Sequence, residues 1–84
     1  MNFVNLKNIC DPAMKELFVN LLSQEEQMLI QGSGYSTNEN DHPYILLILR
    51  KGCKLNESFI KKYNNRIVKE IPVLVEERNV ANLC

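Results

Sequence analysis

One histidine, no tryptophan and three cysteines leave this chain of 84 residues little from which to build a reactive centre. Cys10, Cys53 and Cys84 are unevenly spaced and form neither a CxxC pair nor a disulfide framework, which points to a reducing compartment. With His42 as the single histidine, a tetrahedral zinc site lacks ligands. A dyad of His42 and Cys53 needs a base within bonding reach of its nucleophile, and spacing alone supplies none; an idle loop histidine and a small turn cysteine are expected. Gly32-Ser33-Gly34 lacks the further glycines, the Lys-Ser/Thr pair and the following helix of a phosphate loop. Glu25-Glu26 and Glu76-Glu77 are neighbours whose side chains point apart, so both pairs read as surface charge. No apolar run is long enough to span a membrane, and residues 1–9, with Lys7 and three asparagines, lack the apolar stretch of a signal peptide. The expectation is a cytoplasmic, non-enzymatic protein with no catalytic residue, metal or cofactor.

What the chain does have is one uninterrupted apolar stretch. Tyr44 to Leu49 are six apolar residues between Pro43 and Arg50-Lys51-Gly52. Alternating strands have one wet face, whereas a continuous run of strand length implies apolar surface on both. Hydrophobic content of 45% with 24% charged residues belongs to a folded protein. A single domain over 1–84 is expected, with a flexible tail from about residue 78 and a stability of roughly 4 to 12 kcal/mol.

Around that strand the punctuation gives an order of elements. Asp11-Pro12 suits a helix start, and Met14, Leu17, Phe18, Leu21 and Leu22 then fall on one helical face. The helix is expected to end near Gln27, ahead of a strand over Met28 to Tyr35. The alternatives are a second capping box at Ser23 and Glu26, or a helix running to Gln31 and stopping at Gly32. A polar loop over 36–42 makes a hairpin with the apolar strand. Asn56 can cap a second helix striped by Phe59, Ile60, Tyr63 and Ile67, with Leu55 stapled against Ile60. Ile71, Val73 and Val75 alternate as a closing strand, placed by Pro72 at a strand start or an edge. Phe3 to Leu6 supply either one more strand or none. The class is α+β: a two-layer sandwich with two helices on one face of a sheet of three or four strands, βαββαβ (ferredoxin-like) or αββαβ.

From about Leu22 to Glu77 this order, with its Gly-x-Gly turn at Gly32 and Gly34, its apolar strand and its Ile71-Pro72-Val73 closing strand, resembles short α/β modules found ahead of trypsin-like protease domains in bacterial proteins. The resemblance implies the strand order and an accessory role. It carries over no catalytic residue, and no protease domain lies within these residues.

Net charge is zero, but it is segregated: residues 50–69 hold Arg50, Lys51, Lys54, Lys61, Lys62, Arg66 and Lys69 against one acid, Glu57. On a helical wheel Lys61, Lys62, Arg66 and Lys69 share the side opposite the apolar stripe. They are a footprint for nucleic acid or an acidic partner, or else a solvated face balanced by acids elsewhere, which the zero net charge favours. Aromatic base-stacking residues and a GxxG loop are absent, so any nucleic-acid contact would be to phosphates. If Ile45, Leu47 and Leu49 lie beneath the helices, Tyr44, Leu46, Ile48 and Leu74 are left on the far face. Val80 and Leu83 in the tail are a thin cover for them. The leading expectation is therefore a protein interface there, homodimeric first; the alternatives are the nucleic-acid binder and a small inhibitor of a host or phage enzyme.

Overall fold

A computed structural model describes residues 2–79, in which helices and a four-stranded mixed sheet form an α+β unit. Val80, Leu83 and Cys84 lie outside the described residues. Helix α1 spans Phe3–Glu16 and continues through a π-helical turn, Leu17–Leu21. Its start lies well before Asp11, because the Asn2 side chain accepts from the Asn5 N–H at 2.9 Å and the buried stripe extends upstream through Leu6, Cys10, Ala13 and Leu17. Phe3 to Leu6 are therefore helical, and the ferredoxin-like order with a leading strand does not form. Pro12 sits inside the helix on its exposed side, where the hydrogen bond it removes opens toward solvent.

The chain breaks at Leu22–Ser23 rather than near Gln27. Ser23 and Glu26 make a reciprocal capping box, Glu26 N–H to Ser23 Oγ at 3.1 Å and Ser23 N–H to Glu26 Oε1 at 2.8 Å, and this opens α2, Gln24–Leu29. Gln27 Nε2 reaches back to the Phe18 carbonyl at 2.8 Å and so satisfies the end of the preceding helix. Met28, expected in a strand, is the fifth residue of α2 and 80% exposed.

Strands β1, Ile30–Thr37, and β2, Pro43–Arg50, are antiparallel, with Ser33 opposite Leu47 and Tyr35 opposite Ile45. Asn38 organises their loop: its Oδ1 accepts from the N–H groups of Asn40 and His42 at 2.9 and 3.0 Å. Gly52 turns the chain out of β2 at φ 95°, a conformation that favours glycine. Helix α3, Asn56–Tyr63, then crosses to β4, Ile71–Arg78, which runs parallel to β2. A two-residue strand β3, Ile67–Val68, joins β4 through Lys69 and Glu70, both at positive φ, as a tight twisted hairpin requires. The sheet order is β1-β2-β4-β3, the αββαβ alternative with its leading helix split and one short strand added.

Helix α3 is shorter than its apolar stripe suggested. Asn64 is already extended, so Ile67 leaves the helix for β3 and is 61% exposed. Leu55 occupies the N-cap itself rather than the position before it, where a staple residue stands, and is exposed. Asn56, expected as the cap, is the first helical residue and is committed elsewhere. Arg78 pairs with Arg50 within the sheet, so β4 runs up to the residue near which the tail was expected to begin. A single core cluster joins Leu6, Cys10, Ala13 and Leu17 of the first helix and its turn, Phe59 and Tyr63 of α3, and Ile45, Leu47, Leu49, Ile71 and Val73 of the sheet.

Candidate functional site

Strand alternation divides the apolar run between two environments. Ile45, Leu47 and Leu49 are fully buried, whereas Tyr44, Leu46 and Ile48, pointing the other way, are each partly exposed. In the parallel register Leu74 lies level with Leu46, so the four residues expected at an interface share one face of the sheet, away from the core. β1 brings Gly34 opposite Leu46 and Gly32 opposite Ile48 on that same face. A Cβ at Gly34 would meet nothing within 4 Å, and one at Gly32 would touch only Ile48, at 3.8 Å. The result is an apolar ridge along β2 and β4 beside a trough along β1. A hollow of about 330 Å³ runs along the β4 side between Tyr44, Leu46, Leu74 and Asn64. Arg50 and Arg78 stand level at the far end, with Glu76 paired to Arg78 at 2.5 Å.

The seven basic residues are scattered. Helix α3 ends at Tyr63, so Arg66 and Lys69 lie beyond it and share no helical face with Lys61 and Lys62. Lys61 pairs with Glu57 at 3.6 Å and Lys62 with Glu26 at 3.0 Å. Lys62 and Arg66 flank the Tyr63 ring at 5.2 and 5.8 Å. Lys69 sits in the β3–β4 turn near Lys15, and Arg50, Lys51 and Lys54 gather at the exit of β2.

Two polar clusters were invisible in sequence spacing, since their members are distant along the chain. Glu26, Tyr63 and Lys62 tie α2 to α3: Tyr63 Oη lies 2.7 Å from Glu26 Oε1 and 3.1 Å from the Leu21 carbonyl. Asn56 Nδ2 donates to the Arg50 carbonyl at 2.7 Å and to Glu77 Oε2 at 2.8 Å, holding the ends of β2 and β4 together. Glu26 and Glu77 are thus structural acceptors rather than idle surface charge. His42 and Cys53 are exposed, with the His42 backbone bound into the Asn38 loop. Among the described residues there is no group of three or more His, Cys, Asp or Glu able to hold a metal ion, and no helix long and apolar enough to cross a membrane.

Burial pushes the Glu26 carboxyl pKa up, but hydrogen bonds from the Ser23 N–H, Tyr63 and Lys62 outweigh it and hold the group down at about 2. A carboxylate depressed in the folded state stabilises above its unfolded value and loses that contribution as pH falls toward the folded one. Acidification from about pH 4.5 to 2 is therefore expected to cost about 2 kcal/mol through this residue, discounted for the half-exposed Lys62. Urea midpoints of wild type and Glu26→Gln across that window check it: the variant should be weaker at pH 7, and the gap should narrow at pH 2.

The chain matches no family model, and comparison with curated proteins and with solved structures returns no match either.

Proposed function

We propose that this chain is a small non-enzymatic protein–protein interaction module, a two-layer α+β sandwich that docks through the open face of its sheet and associates first with a second copy of itself. The observation that carries this reading is the pairing of the Tyr44, Leu46, Ile48 and Leu74 ridge with the Gly32–Gly34 trough. Ridge and trough lie side by side, so a two-fold related copy can seat its ridge in the trough of the first. A contiguous apolar face on so small a domain commonly marks an interaction surface. The reading accords with the accessory role implied by the resemblance to modules preceding protease domains. Nucleic-acid binding is the weaker alternative, because Lys61 and Lys62 already have carboxylate partners and the remaining basic residues form no stripe.

Light scattering coupled to size exclusion tests the proposal. Wild type is expected above the single-chain mass of 9.7 kDa at micromolar concentration, and Leu46→Lys with Ile48→Lys is expected to lower that mass by removing the face contact. An unchanged mass in the folded variant rejects this face. Retention of a random oligonucleotide at low salt, abolished by Lys61, Lys62 and Arg66 to Ala, would give the basic residues priority instead.

A further inference from the structure

The two edges of the sheet are finished differently. On the far edge, β3 covers the start of β4, the Asn65 N–H donates to the Val73 carbonyl at 2.7 Å, and the Val73 N–H donates to the Arg66 carbonyl at 2.8 Å. Beyond that point Asn64 Oδ1 accepts from the Val75 N–H at 2.9 Å. That edge is closed with backbone and side chain. Among the described residues β1 has no such cover.

The phase of the β1–β2 ladder says which groups are left over. The Asn38 N–H donates to the His42 carbonyl at 2.9 Å, and the register then alternates. Gly32, Gly34 and Ser36 turn their main-chain groups to β2, whereas Ser33, Tyr35 and Thr37 turn theirs outward. Pro43, which has no N–H, sits opposite Thr37 and fits the same phase. Among the described residues no acceptor or donor meets the outward groups of Ser33, Tyr35 and Thr37. From Ile30 to Thr37 there is no charged residue and no proline, the usual guards against pairing at an edge. Beside the edge, Phe3 and Val4 at the start of α1 are 68% and 65% exposed, with the Phe3 ring 5.9 Å from that of Tyr35.

We propose that a second copy of this chain pairs antiparallel with β1 along this free edge, about a two-fold axis at Tyr35. Ser33 then stands opposite the partner's Thr37 and Tyr35 opposite the partner's Tyr35, which satisfies every outward group named above. The self-complementary occupant is favoured because the same axis brings the two Phe3–Tyr35 pairs together and covers apolar surface that an isolated strand leaves wet. This contact goes beyond the open-face reading, since it uses the edge of the sheet. It sets the two Gly32–Gly34 troughs side by side on one continuous face and so widens the surface that reading invokes.

Amide hydrogen exchange at Ser33, Tyr35 and Thr37 tests the pairing. These three amides are expected to exchange at least about tenfold more slowly in concentrated than in dilute protein. Ser33→Pro keeps the β1–β2 ladder, because that N–H takes no part in it, and is expected to abolish the protection at Tyr35 and Thr37. Leu46→Lys with Ile48→Lys is expected to leave the protection intact. Unprotected amides at every concentration overturn the proposal, as does protection of Tyr35 and Thr37 that survives in folded Ser33→Pro. Protection lost with the face variant assigns the contact to the face and equally overturns the edge pairing. Should Ser33→Pro fail to fold, the wild-type concentration dependence decides alone.

Discussion

Leu47→Ala is expected to lower the stability of the domain by about 3–4 kcal/mol, and Leu46→Ala, one residue away on the same strand, by about 1 kcal/mol. Leu47 is fully buried in the core cluster against the helices, so its truncation removes apolar contacts and leaves a cavity that surrounding side chains fill only partly. Leu46 projects from the opposite face beside Gly34, where water already reaches it and no cavity can be enclosed. Against a total of roughly 4 to 12 kcal/mol for a chain of this length, the first loss is a large fraction and corresponds to roughly 15–25 °C in Tm. Thermal and urea unfolding of dilute protein, where association adds nothing, check the pair. Equal losses at the two positions would mean that both faces are covered within one chain and would remove the basis for docking at Leu46.

The apolar run was legible because it is a local signal: a strand of six apolar residues has two apolar faces whatever surrounds it, and Leu74 follows from the alternation around Val73 and Val75. The trough beside it was missed. Gly32 and Gly34 weaken a strand by propensity, and only their register against Ile48 and Leu46 turns them into a feature of the same face. The N-terminal error has a similar origin. Asp11-Pro12 is a good local start signal, but the tertiary burial of Leu6 and Cys10 and the Asn2 cap carry the helix through it. Helix α3 failed in the opposite direction: the spacing from Phe59 to Ile67 is helical, yet Asn64 and Asn65 leave the helix to cover the edge of β4 through a side-chain acceptor and a backbone N–H. Hydrogen bonds between distant residues, such as those of Asn56 and Glu26, leave no periodic trace, so neither cluster was readable from spacing.

Asn56→Asp is expected to destabilise the domain by about 3–5 kcal/mol at neutral pH, more than the roughly 2 kcal/mol of Asn56→Ala. Asn56 is 2% exposed, and its Nδ2 donates both bonds that tie the Arg50 carbonyl to Glu77, while no donor among the described residues reaches its Oδ1. Alanine loses the two bonds and leaves their acceptors short. Aspartate does the same and also sets a carboxylate against a carbonyl oxygen and the Glu77 carboxylate in a nearly dry site. The charged form is therefore disfavoured on folding and the folded pKa of the new carboxyl is raised, so its protonated form, which can donate one of the lost bonds, is the one the fold accepts. A raised folded pKa places the stabilising contribution below the unfolded value of about 3.9 and withdraws it as pH rises through the folded value. The slope is opposite to the one Glu26 gives wild type, whose stability climbs as pH rises from about 2 to 4.5. Unfolding midpoints of wild type, Asn56→Ala and Asn56→Asp at pH 4 and pH 7 separate the effects. The aspartate variant should approach the alanine variant at pH 4 and fall well below it at pH 7. If aspartate tracks alanine at both, the Asn56 site is wet and the clamp between β2 and β4 contributes little.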